Sequence, residues 1–317
     1  MAIERTSTVT HEARSWPVPL VCPDCREPLL NDGVVLKCSG CTREYPLIGE
    51  FPDLIIGGRF DDLTSDSKMN YEVEANTDST RNYLLPLFRK LWPGSSENLN
   101  LLSVGCGTGS DVELLTREGI PCVGIDSGKR IEAWQRLELK ERFLLANGKH
   151  LPFPDNSFEG VFSGCVFPHV GVKGDSDEVA PDYFEQRLAL ASEMVRVLKP
   201  GGKILVSSPN RHFPLDLFHG REEGVSRPKP YSPANPFLLS FGDYRRLFVQ
   251  AGCENVRALP VEGYWGFIRS RHSLKGLLLG LPVRFLFWMV SREGFRLLRS
   301  SPLNPWLIVL VEKGCRA

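Results

Sequence analysis

The segment from Leu101 to Ser110 constrains the fold more strongly than any other part of this sequence. It reads Leu-Leu-Ser-Val-Gly-Cys-Gly-Thr-Gly-Ser, an apolar strand that runs into a loop with three glycines. Such a loop can approach a flat ligand closely, because no Cβ atoms hold the backbone away from it. Ser110 and Glu113 have the spacing of a capping box, so we expect a helix to follow the loop and to end at Gly119.

A carboxylate follows the next predicted strand. That strand runs from Pro121 to Ile125 and delivers Asp126, about one strand–helix–strand unit after the first glycine. A carboxylate there can accept hydrogen bonds from the two hydroxyls of a ribose. The spacing G-x-G-x-G differs from the G-x-G-x-x-G of dinucleotide sites, so the pattern indicates a nucleotide or S-adenosylmethionine. An ordinary strand–helix turn without a ligand is the alternative.

Two further motifs follow the glycine loop in register. The turn-rich segment from Asn147 to Glu159 precedes an apolar strand, and the segment from Glu193 to Gly202 ends a helix and leads into another strand. Together the three motifs resemble those of the class I S-adenosylmethionine-dependent methyltransferases, especially the small-molecule branch that includes the quinone-biosynthesis methyltransferases. The resemblance extends roughly from Tyr71 to Lys313.

This resemblance implies an α/β fold, doubly wound and Rossmann-like, with a seven-stranded, mostly parallel sheet whose last strand is antiparallel. In that family the glycine loop packs on the methionine part of the cofactor, the residue at Asp126 holds the ribose, and the residue at Asn147 meets the adenine. The cofactor-binding residues that the resemblance implies are Gly105, Cys106, Gly107, Thr108, Gly109, Asp126, Ser127, Asn147, Gly148 and Cys165.

Two positions depart from the family pattern. Ser103 stands where an acidic residue is common, two positions before the first glycine, and Asn147 stands where aspartate is usual. An asparagine oxygen can still accept a hydrogen bond from the adenine amino group, so the second change is mild. The first leaves open which side chain meets the amino group of the cofactor.

Four cysteines near the start of the sequence form two C-x-x-C knuckles, namely Cys22, Cys25, Cys38 and Cys41. Two knuckles joined by a short hairpin can place four thiolates around a tetrahedral Zn²⁺ ion. A module this small cannot bury a sufficient core, so the metal would supply much of its folding energy. A redox dithiol pair and an iron–sulfur site are the alternatives. With every position filled by protein, the zinc would be structural, and the module would serve as a scaffold or recognise an RNA or a partner.

These patterns divide the chain into four parts. We expect a disordered N-terminus at 1–17, a zinc ribbon at 18–57, a linker at 58–70 and a methyltransferase domain at 71–317. Ligands of doubly wound sheets bind beyond the carboxyl ends of the strands. Three segments that leave this edge are longer than usual connections, and we expect them to wall the acceptor pocket: 164–181, 208–240 and 260–305.

The last of these segments combines apolar runs with basic residues. Leu274 to Leu281 and Val283 to Val290 are strongly apolar, Pro282 separates them, and one lysine and several arginines punctuate the segment. We therefore predict a pair of basic amphipathic helices at about 272–300. Such a pair can cover a pocket, form a homodimer contact or lie on a membrane surface. No uncharged run in it is long enough to cross a bilayer.

Histidines on the acceptor side are candidate general bases, because an alcohol or amine acceptor must lose a proton during methyl transfer. His169 follows the predicted fourth strand and His219 lies in the next long segment, and both are predicted catalytic residues. His212 with Asp216 is a weaker candidate pair. Surface histidines with no catalytic role would give the same pattern.

Composition limits the classes of partner and compartment. The 317 residues include 38 basic and 38 acidic side chains, so the formal net charge is zero. A free-standing nucleic-acid binder usually carries a basic excess, which disfavours a nucleic-acid partner. The five cysteines outside the knuckles are scattered, and no charged-then-apolar leader opens the sequence. Both observations predict a cytoplasmic protein.

The resemblance implies an enzyme that moves a methyl group from S-adenosylmethionine to a small or lipid-like metabolite. RNA methylation is the first alternative, because some zinc ribbons accompany RNA methyltransferases. Two others are a non-methylating use of the cofactor and a catalytically silent S-adenosylmethionine-binding assembly protein.

Overall fold

The computed structural model describes residues 16–58, 66–93, 99–127, 129–174, 176–216, 229–263 and 274–315. In chain order the strands are β1 (Leu29–Asn31), β2 (Val35–Cys38), β3 (Glu44–Ile48), β4 (Phe51–Pro52), β5 (Leu101–Val104), β6 (Cys122–Asp126), β7 (Phe143–Leu145), β8 (Phe158–Gly164), β9 (Leu198–Pro209), β10 (Leu215–Asp216), β11 (Lys229–Pro230), β12 (Asn255–Ala258) and β13 (Trp306–Glu312). The α-helices are α1 (Asp66–Ser79), α2 (Leu85–Leu91), α3 (Ser110–Arg117), α4 (Ile131–Trp134), α5 (Tyr183–Val197), α6 (Phe241–Gln250) and α7 (Leu274–Ser291). A π turn covers Thr80–Leu84, and 3₁₀ turns cover Lys140–Arg142, Phe167–His169 and Glu293–Ser300.

The main sheet has seven strands in the order β12-β13-β9-β8-β5-β6-β7. Strand β13 runs antiparallel to both of its neighbours, and the other strand pairs are parallel. All four residues of β5 are buried, in agreement with its apolar sequence, which only Ser103 interrupts. The strand order and the antiparallel last strand confirm the predicted fold class.

Helices cover both faces of this sheet and form two cores. Residues of α5 and α6, such as Met194 and Phe248, pack on one face. Residues of α2, α3 and α7, such as Phe88, Leu115 and Phe287, pack on the other. Burial of these apolar side chains is the main stabilising contribution to the fold.

A small antiparallel sheet in the order β1-β2-β3-β4 lies within the range predicted for the zinc ribbon. The turn between β1 and β2 is closed by Asp32, whose Oδ1 accepts hydrogen bonds from the backbone N–H groups of Val34 and Val35 at 3.0 and 2.9 Å. This turn brings the two cysteine knuckles together.

The predicted capping box at Ser110 and Glu113 is wrong. Helix α3 begins directly at Ser110, its N-cap is Gly109, and no side chain caps it. A Cβ atom at position 109 would lie 2.5 Å from the ring of Phe143, so packing rather than capping selects this glycine. A capping box does occur at Ser240 and Asp243, at the start of α6.

Two other helix boundaries differ from expectation. Helix α1 begins at Asp66, inside the segment predicted as a linker. Helix α7 continues through Pro282, so the predicted pair of helices is instead one helix followed by a 3₁₀ turn. Buried Phe287 and Val290 anchor it, which outweighs the hydrogen bond lost at the proline. No helix in the described parts of the chain has the length and apolar character that crossing a membrane requires.

Candidate functional site

The glycine loop lies at the carboxyl end of β5 and is held from two sides at Gly107. The Gly107 N–H donates to Oδ2 of Asp126 at 2.9 Å, and its carbonyl accepts from Nε1 of Trp134 at 2.8 Å. Gly107 has a φ of +54°, which a residue with a side chain rarely adopts. The loop therefore presents a fixed backbone whose shape depends on the Asp126 carboxylate.

Helix α1 lies over this loop. Glu72 of α1 pairs with Arg130 through two hydrogen bonds of 3.0 Å, and the pair is largely shielded from solvent. The ideal Cβ position of Gly107 is 3.8 Å from Oε2 of Glu72. Helix α1 precedes β5 in the chain, so the segment before β5 lies against the glycine loop.

A buried carboxylate lies beneath the loop, on α3 rather than on β5. Ser103 donates its hydroxyl to Oδ2 of Asp111 at 2.8 Å, and both side chains are buried. Burial raises the pKa of Asp111 to about 6, and its Oδ1 has no hydrogen-bond partner among the described residues. The family pattern places an acidic residue at position 103, where this chain has serine. Asp111, on the helix that follows, supplies a carboxylate next to this position, and the sequence analysis did not identify it.

The side chain of Asn147 is engaged by the protein itself. Its Nδ2 donates to the carbonyl of Ile56 at 3.1 Å, and its Oδ1 accepts from the Lys149 N–H at 3.0 Å. Ser127 and Gly148 are half-buried beside Asp126 and Asn147 respectively. The structure thus brings the predicted ribose and adenine residues to adjacent strand ends, after β6 and β7.

Three other predicted cofactor residues differ in their surroundings. Cys106 and Thr108 are almost fully buried, and burial raises the pKa of the Cys106 thiol, so these side chains pack inward and only their backbone faces the loop surface. Cys165 is half-buried at the end of β8, with a φ of +58° that is rare for a non-glycine residue. Strained backbone of this kind is frequent at functional sites.

The buried side chain of Arg187 connects the two segments 164–181 and 208–240, which are predicted to wall the acceptor pocket. The guanidinium of Arg187 donates to four backbone carbonyls, those of Val170, Pro236, Pro168 and Phe237, at 2.8–3.1 Å. Two of these carbonyls belong to the segment 164–181 and two to the segment 208–240. Arg187 therefore fixes two of the predicted pocket walls to α5, and the sequence analysis assigned this arginine no role.

The candidate bases have different positions. His169 ends a 3₁₀ turn after β8, and its ring meets the edge of Phe237 with the ring centres 5.5 Å apart. His212 is exposed beyond β9. His219 and the side chain of Asp216 lie outside the described residues. Of the two candidate bases within the described residues, His169 follows β8, the strand next to β5, whereas His212 follows β9, one strand further from the glycine loop.

The four knuckle cysteines form one cluster. All four sulfur atoms lie within 4.8 Å of one another, with 3.7 Å between Cys22 and Cys41 and 3.3 Å between Cys25 and Cys38. A tetrahedron with zinc–sulfur bonds of about 2.3 Å has edges close to these distances. Burial would raise the pKa of Cys22, but hydrogen bonds from Tyr45 and the backbone lower it to about 6. The cluster is compatible with a four-thiolate metal site.

Comparisons with known proteins support the interpretation of the seven-stranded sheet as part of a methyltransferase domain. Residues 102–206 match the family model described as a methyltransferase domain. An uncharacterized methyltransferase of Mycobacterium sp. (strain KMS) is 31% identical over 141 residues, which cover 43% of this chain and 49% of that protein.

Two relatives with more specific names are also similar. A probable tRNA methyltransferase 9B of Homo sapiens is 27% identical, covering 43% of this chain and 30% of that protein. A probable chloroplastic tocopherol O-methyltransferase of Oryza sativa subsp. japonica is 25% identical, covering 68% of this chain and 57% of that protein. The chain therefore spans about half the length, or less, of most of these relatives.

Proposed function

The sheet domain is that of a class I S-adenosylmethionine-dependent methyltransferase, and from this premise we propose that the chain methylates a small or lipid-like metabolite. The observation that carries the proposal is the junction of Gly107 with Asp126, where a bare backbone and a carboxylate meet at adjacent strand ends. A nucleoside laid across these ends would rest on the loop, with its ribose hydroxyls donating to Asp126.

When bound, S-adenosylmethionine supplies an electrophilic methyl carbon, which the acceptor atom attacks in line with the departing sulfur. The protein contributes mainly position, because holding the acceptor in line at short distance provides much of the acceleration. The walls fixed by Arg187 exclude water from the acceptor. His169 would take the proton of an alcohol or amine, and His219 is the second candidate base. A carboxylate or phenolate acceptor needs no base.

A lipid-like acceptor agrees with the apolar character of the acceptor side. Phe167 and Phe237 are buried near His169, and the tocopherol methyltransferase in the comparisons acts, by its name, on a lipid-like phenol. The RNA alternative is favoured by the named tRNA methyltransferase and by the ribbon, but the zero net charge argues against it.

We further propose that Cys22, Cys25, Cys38 and Cys41 hold a structural Zn²⁺ ion with no open coordination position. We place the chain in the cytoplasm, because the five cysteines outside the knuckles are scattered through the sequence, as in proteins of a reducing compartment. The outer face of α7 and the following turn exposes Phe285, Trp288 and Leu297 beside several arginines. This face, within 272–300, is our candidate for contact with a membrane surface or with a second copy of the chain.

The function is tested by incubating the purified protein with isotopically labelled methyl-S-adenosylmethionine and fractionated host extract, followed by mass spectrometry. Label in the small-molecule or lipid fraction is expected. Label confined to RNA would establish the alternative. Consumption of the cofactor with no labelled product would indicate non-methylating use, and cofactor binding with no turnover would indicate an assembly protein.

A further inference from the structure

The end of the ribbon continues the main sheet beyond its β7 edge. Asp53 is the parallel partner of Leu145, and the Leu54 N–H donates to the Leu145 carbonyl at 2.8 Å. We call residues 53–57 the ribbon tail. A single bridge joins Asp53 to Leu145, so the tail lies next to β7 at the outer margin of the seven-stranded sheet.

The start of the tail is firmly packed, since Asp53 and Leu54 are buried, whereas Ile56 is half-buried and Gly57 is exposed. Leu54 is fully buried in the core on one face of the sheet, and Phe51, just before the tail, is fully buried in the core on the other. The Phe51 ring meets the edge of Trp134, whose Nε1 holds the Gly107 carbonyl, with the ring centres 5.4 Å apart. The same tryptophan thus contacts both the ribbon and the glycine loop.

The carboxyl ends of β5, β6 and β7 follow one another in an order that places the tail next to the adenine end of a nucleoside in the proposed site. The glycine loop follows β5, Asp126 ends β6, and Asn147 lies two residues beyond β7. The next position outward is the tail, where the Ile56 carbonyl accepts from Asn147 at 3.1 Å. Gly57 has a φ of +74°, and a Cβ atom there would lie 3.3 Å from Nε2 of His150 and 3.6 Å from Nδ2 of Asn147.

We propose that the ribbon tail forms the adenine-side wall of the cofactor site, with Ile56 acting as a positioning residue for Asn147. This inference rests on the proposed binding of S-adenosylmethionine. On this proposal the ribbon takes part in cofactor binding, and this role replaces the recognition of an RNA or a partner.

The body of the ribbon is joined both to the tail and to the sheet domain: the Asp53 N–H donates to the Pro46 carbonyl of β3 at 2.9 Å. Arg26 pairs with Glu193 of α5 through two hydrogen bonds of 2.8 and 3.1 Å. The Val21 N–H donates to the Pro152 carbonyl at 3.0 Å. Any loss of ribbon structure, including loss of its metal, therefore removes an anchor of the tail.

Hydrogen exchange of the full-length protein tests the wall directly. S-adenosylhomocysteine, the demethylated product, is expected to slow exchange in peptides covering 53–57 and 145–149 by about tenfold, together with the glycine loop. Strand β12, at the opposite edge of the main sheet, should exchange at an unchanged rate. Protection of the glycine loop without protection of the tail would overturn the inference and leave the proposed function standing.

Alanine substitutions at Gly57 and at Gly49 separate the effect of a new side-chain contact from the effect of backbone strain. Gly49 has a φ of +63°, like Gly57, but nothing lies within 4 Å of its Cβ position. Gly57→Ala should weaken the binding of both S-adenosylhomocysteine and adenosine about tenfold by calorimetry, while Gly49→Ala leaves both unchanged. Equal affinities for the two variants would exclude the wall. Failure of the wild-type protein to bind S-adenosylhomocysteine would instead overturn the proposed function, and this inference with it.

Discussion

Two halves of the main sheet are held together in different ways: the half around β5, β6 and β7, which we propose binds the cofactor (the cofactor half), and the half around β8 and β9, which we propose faces the acceptor (the acceptor half). On the cofactor half, Gly107, Asp126 and Trp134 lie within 28 residues of one another and bond through backbone groups. On the acceptor half, Arg187 reaches carbonyls up to 50 residues away and joins two long insertions. The first half is built from local motifs, whereas the second depends on one side chain whose partners no local pattern reveals.

The ribbon adjoins the cofactor half, and removing a metal ligand should produce the largest change. Cys38→Ser is expected to release zinc and to unfold the ribbon, because apparent binding free energies of structural zinc are about 10–16 kcal/mol. Metal analysis and circular dichroism measure the two effects. Cys315→Ser, at an exposed cysteine outside the ribbon, is the control and should retain the metal. A native protein without zinc would refute the assignment.

Arg187→Met should produce the next largest effect and should act on the acceptor half. The substitution leaves four carbonyls without their donor, and we expect a loss of about 3–5 kcal/mol in the free energy of unfolding by urea titration. Arg246→Met is the matched control, since Arg246 is exposed and stacks on Phe184. If the two variants lose equal stability, Arg187 does not organise the acceptor side.

Asp126→Ala should weaken cofactor binding without unfolding the sheet. The ribose would lose its acceptor and Gly107 would lose a partner, so affinity for S-adenosylhomocysteine should fall about 100-fold, or about 2.7 kcal/mol. Calorimetry measures this change, and Asp155→Ala, at an exposed acid paired with Arg196, serves as the control. Affinity close to that of the wild type would remove Asp126 from its proposed role.

The last predicted effect is of similar size but depends on pH, and it concerns Asp111. Burial raises its pKa from 3.8 to about 6, so the folded state favours the neutral acid. This contribution to stability is complete below the unfolded pKa and is lost as the pH rises through about 6. Asp111→Asn should therefore gain up to about 2–3 kcal/mol over the wild type by pH 8 and show no such gain near pH 4. Thermal unfolding of both proteins between about pH 4 and pH 8 measures the difference in stability. A difference that does not change with pH would contradict the proposal that ionising the buried Asp111 destabilises the folded state.

Much of the cofactor half could be predicted from the sequence. The glycine loop and Asp126 follow from short motifs, because each depends on neighbours within one strand–helix–strand unit, whereas the antiparallel last strand was implied by the family resemblance. The strand that delivers Asp126 ends where the spacing indicated.

The features that escaped prediction depend on contacts distant in sequence. The bond between Ile56 and Asn147 spans 91 residues, and the pair of Glu72 with Arg130 spans 58. Arg187 occupies a helical position that the apolar periodicity did not mark as special, since periodicity reports which face is buried but not what a buried polar group bonds. The sequence analysis did not predict that α7 continues through Pro282, because the packing of Phe287 and Val290 outweighs the local tendency of proline to end a helix.

The place of the ribbon tail beside β7 also bears on solubility. A strand at the margin of a sheet offers unpaired N–H and carbonyl groups to other chains, and such margins promote aggregation unless they are covered. In the intact chain Leu54 occupies that position at Leu145. A truncated protein that starts at Asp66 would leave the margin bare, so it should self-associate even if its remaining core is sound.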